Sequence, residues 1–135
     1  MARRKPCRKV FYCSARLSLP GAMKNGLYSI HVHMLDGHPD RGAGVLVLRD
    51  GKMVGGNGSL FYTGSYTCDG QRWKGELVSA PHTRNPGPVT VFEDRESGIG
   101  FSGTFEGDRA EARGTALLGK ASMTFRVTLH WLAEA

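Results

Sequence analysis

Over residues 59–79, SLFYTGSYTCDGQRWKGELVS, apolar and polar positions alternate with a period of two on either side of a turn signal. Leu60, Tyr62, Tyr66, Trp73 and Leu77 fall on one face, and Thr63, Ser65, Thr67, Arg72, Lys74 and Glu76 on the other. A period of two is that of a half-buried β-strand. Asp69-Gly70 at the centre tolerates the positive φ angles of a type I′ turn, which predicts a two-residue hairpin flanked by Cys68 and Gln71. That register sets Tyr66 opposite Trp73 and Gly64 opposite Gly75.

The same pattern recurs on both sides of this hairpin. From Leu27 to Met34, Tyr28, Ile30, Val32 and Met34 alternate with Ser29, His31 and His33. Asp36 to Gly42, rich in turn formers, reads as a loop. Asp50-Gly51 is a second type I′ signal, joining Gly44–Arg49 to Lys52–Gly55 with Leu48 against Met53 and Val47 against Val54. Val45, Leu46, Val47 and Leu48 are apolar on both faces, so this strand is expected to be covered on two sides, by the barrel core on one and by a loop or another subunit on the other, which makes the four residues candidates for a dimer interface.

Ala80 to Pro88 carries three prolines and reads as a surface loop. Val89 to Phe92 is a short candidate strand, and the polar turn after it has room for one helical turn. Ile99, Phe101 and Phe105, then Ala110, Ala112, Ala116 and Leu118, alternate with polar residues around Gly107-Asp108. The last alternation is the cleanest, with Met123, Phe125, Val127, Leu129 and Trp131 on the inner face. Gly64 and Gly75 are echoed by Gly103 and Gly114, each pair eleven residues apart, and inward glycines let a sheet coil sharply. The expectation is an all-β fold: an up-and-down antiparallel barrel, lipocalin-like, of about eight strands with at most one short helix.

Composition sharpens this picture in one place. The chain has 135 residues and a formal charge of +6, which taken alone suggests a nucleic-acid or anionic-membrane partner. Six of the 18 basic residues lie in residues 1–22, which hold no acidic residue, so the remaining chain balances twelve basic against twelve acidic residues. Residues 1–22 are therefore expected to be a basic leader, either a disordered tail or sequence upstream of a natural beginning at Met23, and residues 23–135 a single β-barrel domain. Its apolar run is broken by Arg16, unlike a secretory signal. Cys7 and Cys13 lie in the leader and Cys68 alone in the domain, an arrangement suited to a reducing, cytoplasmic setting. No apolar stretch is long enough for a membrane-spanning helix.

Candidate chemistry is sparse. His31 and His33 share a strand face, with His38, Asp36 and Asp40 close in sequence, a spacing that imidazole–metal sites use. They sit on the polar face, and no further ligand pair stands at a suitable spacing, so no metal or other cofactor is expected. Cys68 and the serines lack the strand–turn–helix setting of an activated nucleophile, and the carboxylates fall on turns and outer faces; no catalytic residue is expected. Tyr28, Tyr62, Tyr66, Trp73, Phe101 and Phe125 are expected in the core or around a cavity. Outward Lys and Arg alternate with Glu and Thr, which argues against specific nucleic-acid binding.

Met23-Lys24-Asn25-Gly26-Leu27-Tyr28-Ser29-Ile30, the turn Leu48-Arg49-Asp50-Gly51 followed by Gly55-Gly56, and Tyr62-Thr63-Gly64-Ser65-Tyr66 together resemble the GrlR-type negative regulators of type III secretion, nearest to bacterial members of unassigned role. The resemblance covers Met23 to about Leu132. It implies a lipocalin-like barrel with an apolar cavity plugged at one end, a homodimer held by apolar contacts, and repression through sequestering a transcriptional activator. In the family an acidic run on an exposed turn serves that interaction; here the position is Cys68-Asp69-Gly70-Gln71, with one carboxylate, making these four residues the candidate partner-binding turn. The expected function is thus a non-enzymatic regulator that binds another protein. The alternative is a barrel that binds a small apolar ligand among its inward aromatics.

Overall fold

The structure is a computed structural model that describes residues 23–35, 42–83, 96–118 and 120–135. Eight strands follow one another around a closed antiparallel barrel: β1 (Gly26–Met34), β2 (Gly42–Arg49), β3 (Lys52–Gly56), β4 (Leu60–Asp69), β5 (Arg72–Pro81), β6 (Ser97–Glu106), β7 (Arg109–Leu118) and β8 (Ala121–Ala133). Each pairs with its neighbours in sequence, and β8 closes on β1. Closure pairs both edges of the sheet, so none of these eight strands is left as an open edge. Among the described residues there is no helix. The candidate strand at residues 89–92, the loop at 36–41 and residues 1–22 lie outside the described residues.

The β2–β3 hairpin has the expected register, Leu48 against Met53 and Val47 against Val54, with positive φ at both Asp50 and Gly51 as a type I′ turn requires. The β4–β5 hairpin differs. Asp69 pairs with Arg72, so the turn residues are Gly70 and Gln71, and of these Gly70 alone has positive φ, the signature of a type II′ turn. The expected Asp-Gly turn is in fact a Gly-x turn one residue further on. The two-residue shift in pairing leaves the inner and outer faces unchanged, because it preserves the period of two.

The shift does change what lies across from each glycine. Gly75 stands opposite Tyr66 and Phe101, Gly103 opposite Trp73 and Ala112, and Gly114 opposite Phe101 and Phe125. Glycine therefore faces aromatic rings rather than another glycine. A Cβ on Gly75 would sit 3.0 Å from the Phe101 ring, and one on Gly114 2.8 Å from the Phe125 ring. The missing side chains make room for rings inside a barrel too narrow for two large residues abreast.

Ala80 and Pro81 extend β5 rather than starting the loop. A proline is tolerated there because the last residues of β5 pair with β4 alone: the β6 ladder ends at Ser79 against Ser97.

The interior has two clusters. One, toward the three tight hairpin turns, holds Met23, Tyr28, Leu48, Tyr66, Trp73 and Leu129. The other, toward the opposite end, holds Met34, Leu60, Ala116, Met123 and Phe125, and Tyr62 packs against both.

Candidate functional site

All six inward aromatics expected from the alternation point into the barrel, but they divide between two jobs. Tyr28 and Tyr66 are buried toward the hairpin turns. Tyr62, Trp73, Phe101 and Phe125 line a cavity of about 80 Å³, together with aliphatic side chains such as Ile30, Leu46 and Leu77. Trp73 organises this wall. Its ring meets Phe101 at 4.8 Å and Tyr66 edge-on at 6.1 Å, and its indole N–H donates to the Glu111 carbonyl at 3.1 Å, reaching past Gly103 of β6 to β7. Edge and tilted ring contacts of this kind add to the stabilisation from burial.

Residues 23–25 close the end of the barrel that carries the tight turns. Met23 is buried in the core, the Tyr28 hydroxyl donates to the Lys24 carbonyl at 2.6 Å, and the Trp131 indole N–H donates to the Asn25 carbonyl at 3.1 Å. Lys24 pairs with Asp108 and lies 3.8 Å above the Trp131 ring. Asn25 accepts a hydrogen bond from the Asp50 backbone N–H and donates one to the Asp50 carboxylate, steadying the turn in which Asp50 has positive φ. Burial, then the neighbouring Tyr66 and Asp108, pushes the Tyr28 hydroxyl well above the ordinary phenol range. Burial likewise pushes Tyr66 up to about 12.

The opposite end carries the crossing at Asn57. Its side-chain oxygen accepts from the backbone N–H groups of Ser59 and Leu60, and its amide donates to the Tyr62 hydroxyl at 3.1 Å. His82 Nε2 lies 3.0 Å from the Asn57 carbonyl, which can only accept, so Nε2 carries a proton.

The outer wall of β2, β3 and β4 carries an apolar patch beside exposed polar residues such as Lys52, Thr63 and Ser65. Leu27, Val47 and Val54 stand in register across β1, β2 and β3, and Val45, Gly56 and Phe61 across β2, β3 and β4. Val54 is 56% exposed, Val45 43% and Phe61 42%. Of the four dimer candidates, Leu46 and Leu48 face the core and cannot reach a partner, while Val45 and Val47 face outward. Val54 and Phe61 join them, two residues that sequence reasoning missed. The inward parity of Tyr62 and Met53 placed them outside, and the signal would have been the apolar side chain at an outward position on two further strands.

The turn Cys68-Asp69-Gly70-Gln71 stands at the end closed by residues 23–25, with Asp69, Gly70 and Gln71 exposed. Cys68 is half-buried against the core. His31 is exposed and His33 half-buried on β1, and His38 lies outside the described residues. Among the described residues no three metal-ligating side chains gather. Among the same residues no helix is long and apolar enough to cross a membrane.

Compared with the models of known protein families the chain matches none, and compared with curated proteins it likewise finds no match.

Proposed function

We infer that this barrel is a non-enzymatic regulatory protein that works by binding protein through the outer wall of β2–β4: a second copy of itself, and through the dimer a regulatory partner. The observation that carries the reading is the apolar outer surface made by Val45, Val47, Val54 and Phe61. Strands of a closed barrel need one dry face, toward the core, and gain nothing from a second one left in water. Burying these side chains against a copy of the same wall contributes about 25 cal/mol for each Å² of apolar surface removed from water. A two-fold arrangement brings like patches together without leaving an open edge.

The resemblance of residues 23–132 to the GrlR-type regulators supports a more specific reading, in which the partner is a transcriptional activator of a type III secretion system and the turn at residues 68–71 contributes to its capture. The test compares transcripts of host cells that carry the intact chain, lack it, or carry it with Val54→Lys and Phe61→Glu. Loss of the chain and loss of the apolar wall are both expected to raise transcription of the secretion genes. Unchanged transcripts on deletion would contradict the regulatory reading.

A further inference from the structure

Along each strand of the polar wall the outward lysines and arginines alternate with glutamate and threonine, as expected from the sequence. Across the strands the ladder sorts them differently. Lys74 on β5 stands across from Ser102 on β6, Ser102 from Arg113 on β7, Arg113 from Arg126 on β8, and Arg126 from His33 on β1. One outward row running around the barrel therefore holds three cationic side chains and an imidazole, with no carboxylate among them. The rows beside it are mixed. One carries Arg72, Thr104, Glu111 and Thr128, and the other Glu76, Gly100, Thr115 and Thr124. The cationic strip is thus one side chain wide, with a carboxylate on either side.

Lys74, Arg113 and Arg126 are exposed, and among the described residues none of them forms an ion pair. Arg113 and Arg126 face each other directly, a like-charged pairing that weakens the ladder. The fold does not demand it, since the next outward pair on the same two strands is Thr115 and Thr124. Water solvates such side chains wherever they stand and gives no reason to line them up. Gly100 adds a second feature. A Cβ there would meet nothing within 4 Å, and the missing side chain leaves a hollow lined by Ser102, Arg113, Thr115 and Thr124. Three hydroxyls and a guanidinium, all able to donate to an oxygen ligand, border this hollow at the middle of the row.

The width of the strip selects its occupant. From Lys74 to His33 the row crosses β5, β6, β7, β8 and β1, about 19 Å, which about six residues of extended chain would span. An extended chain shows every second side chain to the wall, so alternate acidic residues would meet the cations in turn. A nucleic-acid duplex or an anionic membrane spreads its charge over a broader front and would meet Glu76 and Glu111 as well. The row holds no Phe, Tyr or Trp ring on which the bases of a single strand could stack.

We propose that this row docks an acidic segment of a partner protein, extended across β5–β8 onto β1, with one of its carboxylates held by Arg113 and Arg126 beside the Gly100 hollow. Guanidinium groups bind carboxylates through paired N–H donors, which suits the two arginines to this role. The inference rests on the reading that the chain works by binding protein, but it uses a wall separate from β2–β4, so either can fail alone.

The test follows the fluorescence anisotropy of a labelled peptide in which glutamate alternates with serine, titrated with the full chain. Saturable binding is expected, and it should weaken as salt rises, because exposed charges are screened. Arg113→Gln with Arg126→Gln should weaken it by about tenfold or more without lowering the melting temperature, since a like-charged pair is relieved. Arg49→Gln with Lys52→Gln removes the same charge from a cross-strand pair at the β2–β3 turn and should leave binding unchanged, as should Val54→Lys with Phe61→Glu. The basic residues 1–22 are present in every variant, so binding through them would survive the loss of Arg113 and Arg126. A peptide with glutamine in place of glutamate should not bind, and a short DNA duplex should bind more weakly than the acidic peptide. The proposal is overturned if no saturable binding appears, if the Arg113 and Arg126 variant binds as well as the original, if the Arg49 and Lys52 variant loses as much, or if the duplex binds more tightly than the peptide.

Discussion

The outer wall of β2–β4 and the outer wall of β6–β8 are built on the same alternation and the same closed ladder, yet apolar side chains gather into a patch on the first, whereas the second is mostly polar, with Leu117 and Leu132 as exposed exceptions. On β2–β4 the outward positions include Val45, Val47, Val54 and Phe61; on β6–β8 they include Ser102, Thr104, Glu111, Arg113, Thr124 and Arg126. Period-two alternation therefore decides which residues face the core, but the chemistry of the opposite face is free to vary with what covers it. Water is a sufficient cover for the second wall. The first wall is the one that the proposed protein partner, a second copy of the chain, would cover.

The two walls share one interior, and the most damaging change lies there. A side chain at Gly103 would run into the Glu111 carbonyl, a backbone atom that cannot swing aside, and would crowd Trp73 across the ladder. Gly103→Val is expected to abolish the folded barrel altogether, which loss of the cooperative thermal transition would report. Next in size is Trp73→Ala, which removes the ring contacts with Tyr66 and Phe101 and the hydrogen bond to Glu111. It should cost about 3–5 kcal/mol in a denaturant titration.

Alkaline pH separates interior from exterior in a different way. Tyr66 has a folded-state value raised to about 12, against about 10 when unfolded. Its contribution is fully present below about pH 10 and is lost as pH rises toward 12, because the unfolded chain ionises first. The loss amounts to about 2–3 kcal/mol from this one residue, and Tyr28 acts in the same direction. Denaturant titrations between pH 9 and 12 should show the decline, and Tyr66→Phe should flatten it.

The smallest expected effect is on the polar wall. Arg113 and Arg126 stand directly across the β7–β8 ladder, a like-charge pair that opposes pairing. Arg113→Glu should raise stability by about 0.2–1 kcal/mol, read as a higher denaturation midpoint, and leave self-association untouched.

The barrel was legible because alternation survives errors of register: misplacing the turn at Asp69-Gly70 by one residue moved the pairing by two and kept every side chain on its face. The aromatic interior around Trp73 followed from the same parity. What was not legible is how glycines share space with rings, since Gly75 and Gly114 acquire meaning only once Phe101 and Phe125 are known to lie across from them. The basic row was hidden for a related reason. Lys74, Arg113 and Arg126 look like ordinary surface charges alternating with polar residues until the ladder lines them up, and that depends on strands far apart in sequence. The outer patch was half legible: Val45 and Val47 were read from one run, whereas Val54 and Phe61 sit in strands whose alternation looks ordinary when taken one at a time.

Sedimentation velocity of the full chain, beside the Val54→Lys, Phe61→Glu variant, tests the protein-binding wall most directly. The account predicts a dimer at micromolar concentration that the double variant converts to a monomer, with at least a hundredfold weaker association and an unchanged thermal transition. A chain that sediments as a monomer throughout that range, or a dimer that the two substitutions leave intact, would contradict it.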